Sequence, residues 1–266
     1  MKNLTFLLVS ITLFVGLPFC TYASSGDQNT GLEERLQRHT ILMIVGDDNE
    51  TVEPGHGTGD VFIRNHLEKV LGHEVILFIE TESQSILYEA IELTDLVIVS
   101  ESVMSLRLRD KLKSVTVPVI NYEAFIQDEM GMTAREPSGD PGEPEDFAYG
   151  VRDKDTGIDI IMSGHPLAAG LKGNVTIYKE PKQVTWGKVG EGAKVIATLT
   201  GKKEAAVIYL YDKGARLYDG TEAAGMRIGF FLEEENITGT SNFMTEDGLH
   251  LFDEAVKFAL ESENSN

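Results

Sequence analysis

The feature that most constrains this chain is a set of short apolar runs separated by stretches with helical periodicity. Thr40-Ile-Leu-Met-Ile-Val45 is apolar without alternation and is closed by Gly46-Asp47-Asp48. A strand that offers no polar face is one buried on both faces, as in a parallel sheet covered by helices. After a glycine-bearing loop, Ile63, Leu67, Val70 and Leu71 recur at helical spacing, with Thr58 or Asp60 available as N-cap and Gly72 as the stop. The alternation then repeats. His73–Phe78 reads as a strand, Ser85–Leu93 as a helix, Leu96–Val99 as a strand, Leu106–Leu112 as a helix and Pro118–Asn121 as a strand. Strict alternation at this spacing predicts an α/β fold with a doubly wound, mostly parallel sheet.

From Thr133 to Asp155 the pattern lapses, and the proline- and glycine-rich Glu136–Pro144 reads as an exposed loop. Strand-like runs return at Ile158–Met162, Val175–Tyr178, Val184–Val189, Lys194–Leu199 and Ala206–Tyr211, with Gly201–Glu204 as a hairpin turn. These predict extra β-strands in the second half. Arg227–Leu232 reads as a last core strand. An amphipathic helix closes the chain, with Leu249, Phe252, Val256, Ala259 and Leu260 on one face, Thr245 as cap, and Glu246 and Asp247 at its positive end. No repeat or linker divides residues 40–262, which read as one domain.

Ahead of that domain, Lys2 and the apolar stretch Leu4–Phe19 have the form of a leader, too short for a secure membrane span. Thr21-Tyr22-Ala23 offers a small residue before cleavage, so residues 1–23 are expected to be removed and 24–39 to form a polar tether. Lipid attachment at Cys20 is the alternative, disfavoured by the bulky Phe19 before it. Either route exports the protein to the periplasm or beyond. Cys20 is the only cysteine, so cleavage leaves no disulfide, thiolate nucleophile or cysteine ligand. The 43 acidic residues against 23 basic ones give a formal charge of −20, which repels phosphate backbones and anionic lipid. Neither nucleic acid nor, once processed, a membrane is an expected partner, and nothing in the sequence speaks to oligomeric state.

Val117–Met132 reads as a buried strand, a sharp corner at Asn121–Glu123, and a helix leaving at once. In open α/β sheets ligands gather at such carboxyl ends. Pro118-Val119-Ile120 is similar to the strand that leads into the Gly-x-Cys-x-Gly corner of class I glutamine amidotransferases, and Glu123 falls where their cysteine stands. Ser163-Gly-His-Pro-Leu-Ala-Ala-Gly-Leu171 resembles the His-Pro-x-x-x-Gly-Leu segment of ThuA-like proteins, a branch of that superfamily often linked with sugar metabolism. Phe243–Ala259 and Ile44–Asp47 are similar to segments of related exported bacterial domains. The resemblance, spread over residues 40–260, implies a flavodoxin-like, amidotransferase-like fold and an association with carbohydrate. Two departures weigh against glutaminase chemistry: Glu123 replaces the cysteine, and no His-x-Glu pair follows a late strand.

The candidate site follows from the strand ends. Asp47 and Asp48 end the first strand, Ser100, Glu101 and Ser102 follow the third, and Tyr122 and Glu123 follow the fourth. In a 2-1-3-4 strand order these neighbours stand roughly 5 Å apart. Such carboxylates can bind a hard cation, form an acid/base pair, or simply favour helix N-termini. Glu123 and Glu101 are the expected catalytic carboxylates, with Asp47, Asp48, Ser100, Ser102, Tyr122 and His165 around the ligand. The sequence indicates no cofactor and assigns no metal ligands. His165, before Pro166, is either a ligand contact or a backbone partner at a loop entrance. His56 sits in a glycine-bearing loop, Glu53–Asp60, that is no Walker or Rossmann fingerprint and reads as a flexible turn. His66 and His250 read as boundary residues. Trp186, Tyr178 and Tyr209 read as buried aromatics before a sugar-stacking platform. A response-receiver reading fails because Ser100 stands where the acceptor Asp would be. Two readings remain: an exported domain that binds or processes a small neutral, sugar-like ligand in an acidic pocket, or a non-catalytic interaction module.

Overall fold

Alternate residues of Thr40–Val45 point to opposite faces of a sheet, and both faces are core. Ile41, Met43 and Val45 join one apolar cluster, Leu42 and Ile44 the other, and all are fully buried. The computed structural model describes residues 38–47, 58–135, 138–139, 147–233 and 240–263. The chain divides into two units, Met1–Arg35 and Leu36–Asn266. The first, with the expected leader and Cys20, lies outside the described residues, as do Asp48 and His56.

In chain order the elements are β1 (Thr40–Val45), α1 (Thr58–Lys69), β2 (Glu74–Ile79), α2 (Gln84–Ile91), β3 (Leu96–Val99), α3 (Ser105–Leu108) and β4 (Val119–Asn121). There follow β5 (Ser138–Gly139), β6 (Tyr149–Asp155), β7 (Gly157–Ile160), β8 (Gly173–Thr176), β9 (Lys182–Gly187), β10 (Lys194–Leu199), β11 (Lys202–Tyr211), β12 (Arg227–Gly229) and α4 (Glu246–Glu263). The main path through the sheet is β2-β1-β3-β4-β12-β11-β10-β7-β8. Its first five strands are parallel, in the 2-1-3-4 order expected, with β12 beside β4. From β11 onward neighbours are antiparallel, and β9 and β6 branch off β11. This is a doubly wound α/β fold extended by the extra strands of the second half.

The helices cover both faces. Ile63 and Leu67 of α1 and Phe252, Val256 and Leu260 of α4 pack on one cluster. Leu87 and Ile91 of α2 and Leu108 pack on the other. Burying these side chains stabilises the fold by about 1.5–3 kcal/mol each. His66 Nε2 lies 2.6 Å from Asp253 Oδ1 and ties α1 to α4, the covering pair on the first face. Thr245 Oγ accepts from Gly248 N at 3.0 Å and caps α4.

Three local expectations change. The helix expected over Leu106–Leu112 ends at Leu108, where Arg109 takes a positive φ of 48°. Below that break the buried Arg227 guanidinium donates to the carbonyls of Leu112, Lys113 and Val115, fixing an irregular descent into β4. The helix expected after Glu123 is a single 3-10 turn, Ala124–Ile126. Gln127 Nε2 donates to both Ala124 O and Trp186 O and turns the chain away toward β9. Val70, expected on the core face of α1, is 62% exposed just past the helix end.

Candidate functional site at the carboxyl edge of the parallel strands

Parallel strands deliver their carboxyl ends to one edge, and here that edge is acidic. Asp47 follows β1, Glu80 follows β2, Ser100 to Ser102 follow β3, Glu123 follows β4, and Glu233 lies beyond β12. Each group is held differently.

Glu80 is clasped. Its Oε2 accepts from Met104 N at 2.5 Å and its Oε1 from Arg107 Nη1 at 2.8 Å. Burial raises its pKa, and these donors, with the Asp47 N–H, offset the rise. Asp47 itself is exposed.

The two serines predicted after β3 converge on a residue from α1. Ser100 Oγ donates to Asp60 Oδ1 at 2.6 Å and Ser102 Oγ to Asp60 Oδ2 at 2.8 Å. Ser102 Oγ also accepts from Gly46 N at 2.9 Å, joining the ends of β1 and β3. Asp60, read from sequence as a possible N-cap, is instead the buried hub of this cluster, only 3% exposed.

Glu123 carries the most perturbed carboxyl of the edge. It is 4% exposed, and its Oε1 accepts from Phe125 N at 2.9 Å, capping the 3-10 turn. Burial holds its pKa well above the usual carboxylate range. The charge of Glu233 pushes the same way, the Phe125 N–H opposes, and Glu80 and Glu129 add smaller upward pushes. No cation is among these influences. Glu233 is 5% exposed, and its Oε2 lies 2.6 Å from Thr185 Oγ. That hydroxyl also stands 3.2 Å from Tyr122 O, and its single proton can serve only one of the two oxygens. Beside them Asn121 Nδ2 donates to Glu123 O at 3.0 Å, while its buried Oδ1 has no donor.

The carboxylate whose charge acts most on Glu123 is Glu233, while Glu101, the expected partner, is half-buried in the turn after β3. Tyr122 is fully buried in the core cluster rather than facing a ligand. His165 stands at the opposite edge. Its 3-10 turn, Pro166–Ala168, follows β7, which runs against the parallel strands, and the charges that act on it are Lys194 and Asp212 at the start of β10 and end of β11. Its Nδ1 accepts from Leu167 N at 3.2 Å and its ring packs on Phe258, so it is a loop cap. Trp186, Tyr178 and Tyr209 are buried and form no platform. Glu233, Glu80 and Thr185 were not singled out from sequence. The first two are acidic residues directly after strand-like runs, the same signal that pointed to Glu101 and Glu123. Among the described residues, no three His, Cys, Asp or Glu side chains are placed to hold a metal ion.

No family model matches this chain, and no curated protein matches it. Among solved structures it is similar to a protein from Bacteroides uniformis ATCC 8492 described as ThuA-like, at 12% identity and a TM-score of 0.48, over 84% of this chain and 91% of that one.

Proposed function

We propose that the carboxyl edge of the parallel strands binds or processes a small neutral, sugar-like ligand, with Glu123 as its protonated donor. The observation that supports this is the Glu123–Glu233 pair: two buried carboxyls beyond the ends of neighbouring strands, with the charge of one raising the pKa of the other. Burial and the neighbouring charge favour the protonated form of Glu123, and a neutral acid beside a second carboxyl can donate to and accept from a sugar oxygen. Ser100, Ser102 and Asp60 form the polar wall on the β1–β3 side, and Asp47 and Glu101 reach solvent at the rim. The resemblance of Ser163–Leu171 to ThuA-like segments adds the carbohydrate association, and the leader adds export. Glutaminase activity is not part of the proposal.

A thermal-shift screen of neutral monosaccharides tests it, because a ligand that binds only the folded state raises the melting temperature. The expected result is a sugar-induced rise in the wild type that Glu123→Gln loses while keeping its circular dichroism. A sugar response unchanged in Glu123→Gln, or none in either protein, defeats the proposal and leaves the non-catalytic interaction module.

A further inference from the structure

A polar cavity of about 570 Å³ lies between the stretch after α3 and the loop before β12. Asp128 and Glu129 line it, with Arg109 and Arg135 among its cations and Leu106 and Tyr218 as its apolar side chains. From these residues we propose that it is a binding site for a free α-amino acid with an apolar side chain.

Asp128 and Glu129 are adjacent in sequence and their side chains lie within hydrogen-bonding reach of each other. Asp128 Oδ1 and Glu129 Oε2 are both buried and lack a donor. A proton on Glu129 supplies a donor beside Asp128, and an ammonium group can replace it. Glu129 is accordingly raised to about 7, by burial first and then by Asp128, with Arg135 opposing. The other charges facing the pair are Arg109, Asp110 and the ion-paired Lys113 and Asp219.

The opposite half of a zwitterion has its counterpart in Arg135. This side chain is exposed and, among the described residues, has no carboxylate within ion-pair distance. Arg109 also lines the cavity, with its Nε donating to Leu106 O at 2.9 Å. Guanidinium groups bind carboxylates through paired hydrogen bonds. Leu106 is 65% exposed and Tyr218 48%, so the same cavity offers apolar surface for a side chain. The lining charges also favour a ligand with no net charge. Arg109, Lys113 and Arg135 balance Asp110, Asp219 and Asp128 when Glu129 is protonated. Cavities of a few hundred Å³ are the size that takes small molecules.

Isothermal titration calorimetry at pH 6 with L-phenylalanine tests the site, using phenethylamine and N-acetyl-L-phenylalanine as ligands that each lack one charged group. Phenylalanine should bind, with each truncated ligand weaker by about tenfold or more. Binding should release a proton, so the heat should change with the ionisation enthalpy of the buffer. Arg135→Gln, at an exposed position that does not threaten folding, should weaken phenylalanine about tenfold yet leave phenethylamine unchanged. Glu129→Gln should abolish the proton release. No binding of phenylalanine, equal affinity for all three ligands, a buffer-independent heat, or wild-type affinity in Arg135→Gln would each overturn the proposal. Arg135→Gln should leave any sugar-induced thermal shift unchanged, which separates this test from that of the strand-end site.

Discussion

Glu123 and Glu233 end neighbouring parallel strands with both carboxyls buried, and the charge of Glu233 is the strongest of those that raise Glu123. The consequence is a stability that depends on pH. The folded chain holds a proton on Glu123 that the unfolded chain releases near the ordinary value of 4.5. Stability from this group is therefore full below pH 4.5 and is lost as pH rises through the folded value. Glu123→Gln has no proton to lose, so it should gain on the wild type as pH rises from 4.5. Glu129, raised to about 7, acts with the same sign in both proteins and cancels in the comparison. Urea unfolding of the two proteins at pH 4.5, 6 and 8 checks this. A constant difference across the three would show that Glu123 is ionised in the folded chain.

Gly229 is required by an aromatic ring. A Cβ there would lie 2.2 Å from Tyr209 Cε1 and Cζ. The ring cannot retreat freely, because Tyr209 Oη donates to Gln127 Oε1 at 2.5 Å and Gln127 in turn holds Trp186 O. Gly229→Ala should cost about 2–3 kcal/mol, at the upper end of overpacking penalties. Denaturant titration measures it, and a loss under about 0.5 kcal/mol would mean that the ring has room to move.

Glutamine-dependent ammonia release should be undetectable. A carboxylate at the corner after β4 cannot form the thioester that a thiolate forms, and the Glu123 carboxyl is already committed to Phe125 N. Release that purified protein loses on Glu123→Ala would contradict this.

The sequence carried those features whose causes are local. The apolar runs at Thr40–Val45, Leu96–Val99 and Lys194–Leu199 became strands with those bounds, because a run that can bury both faces needs nothing distant to define it. The acidic and hydroxyl residues after the parallel strands share one edge of the sheet, as the strand order implied. What failed depended on distant partners or on strand direction. His165 follows a strand just as Glu123 does, but β7 runs the other way, so its carboxyl end lies at the far edge. β6, over Tyr149–Asp155, has too few apolar residues to read as a strand and exists because it pairs with β9. The irregular stretch from Leu112 to Val115 is held by Arg227, more than 100 residues later in the chain.

Arg227 is the strongest test of that last coupling. It is fully buried, and the groups it binds are carbonyls: Nη1 donates to Met226 O at 2.9 Å and Val117 O at 3.3 Å, and Nη2 donates to Leu112 O and Lys113 O at 3.2 Å and Val115 O at 2.6 Å. Burial lowers its pKa to about 10, which still leaves it charged at neutral pH. A guanidinium satisfies this many acceptors because its donors fan out in one plane, whereas an ammonium presents three from a single point. Four of the five carbonyls it serves belong to the irregular stretch from Leu112 to Val117, outside any helix or strand. Arg227→Met fills similar space but removes every one of these bonds, and should cost about 3–5 kcal/mol. Arg227→Lys should recover only part of that loss. Both are read from urea unfolding, with hydrogen exchange of the Leu112–Val117 amides reporting whether that stretch loosens first. If Arg227→Met lies within about 1 kcal/mol of the wild type, the descent into β4 is held by apolar packing and the carbonyl cage is incidental.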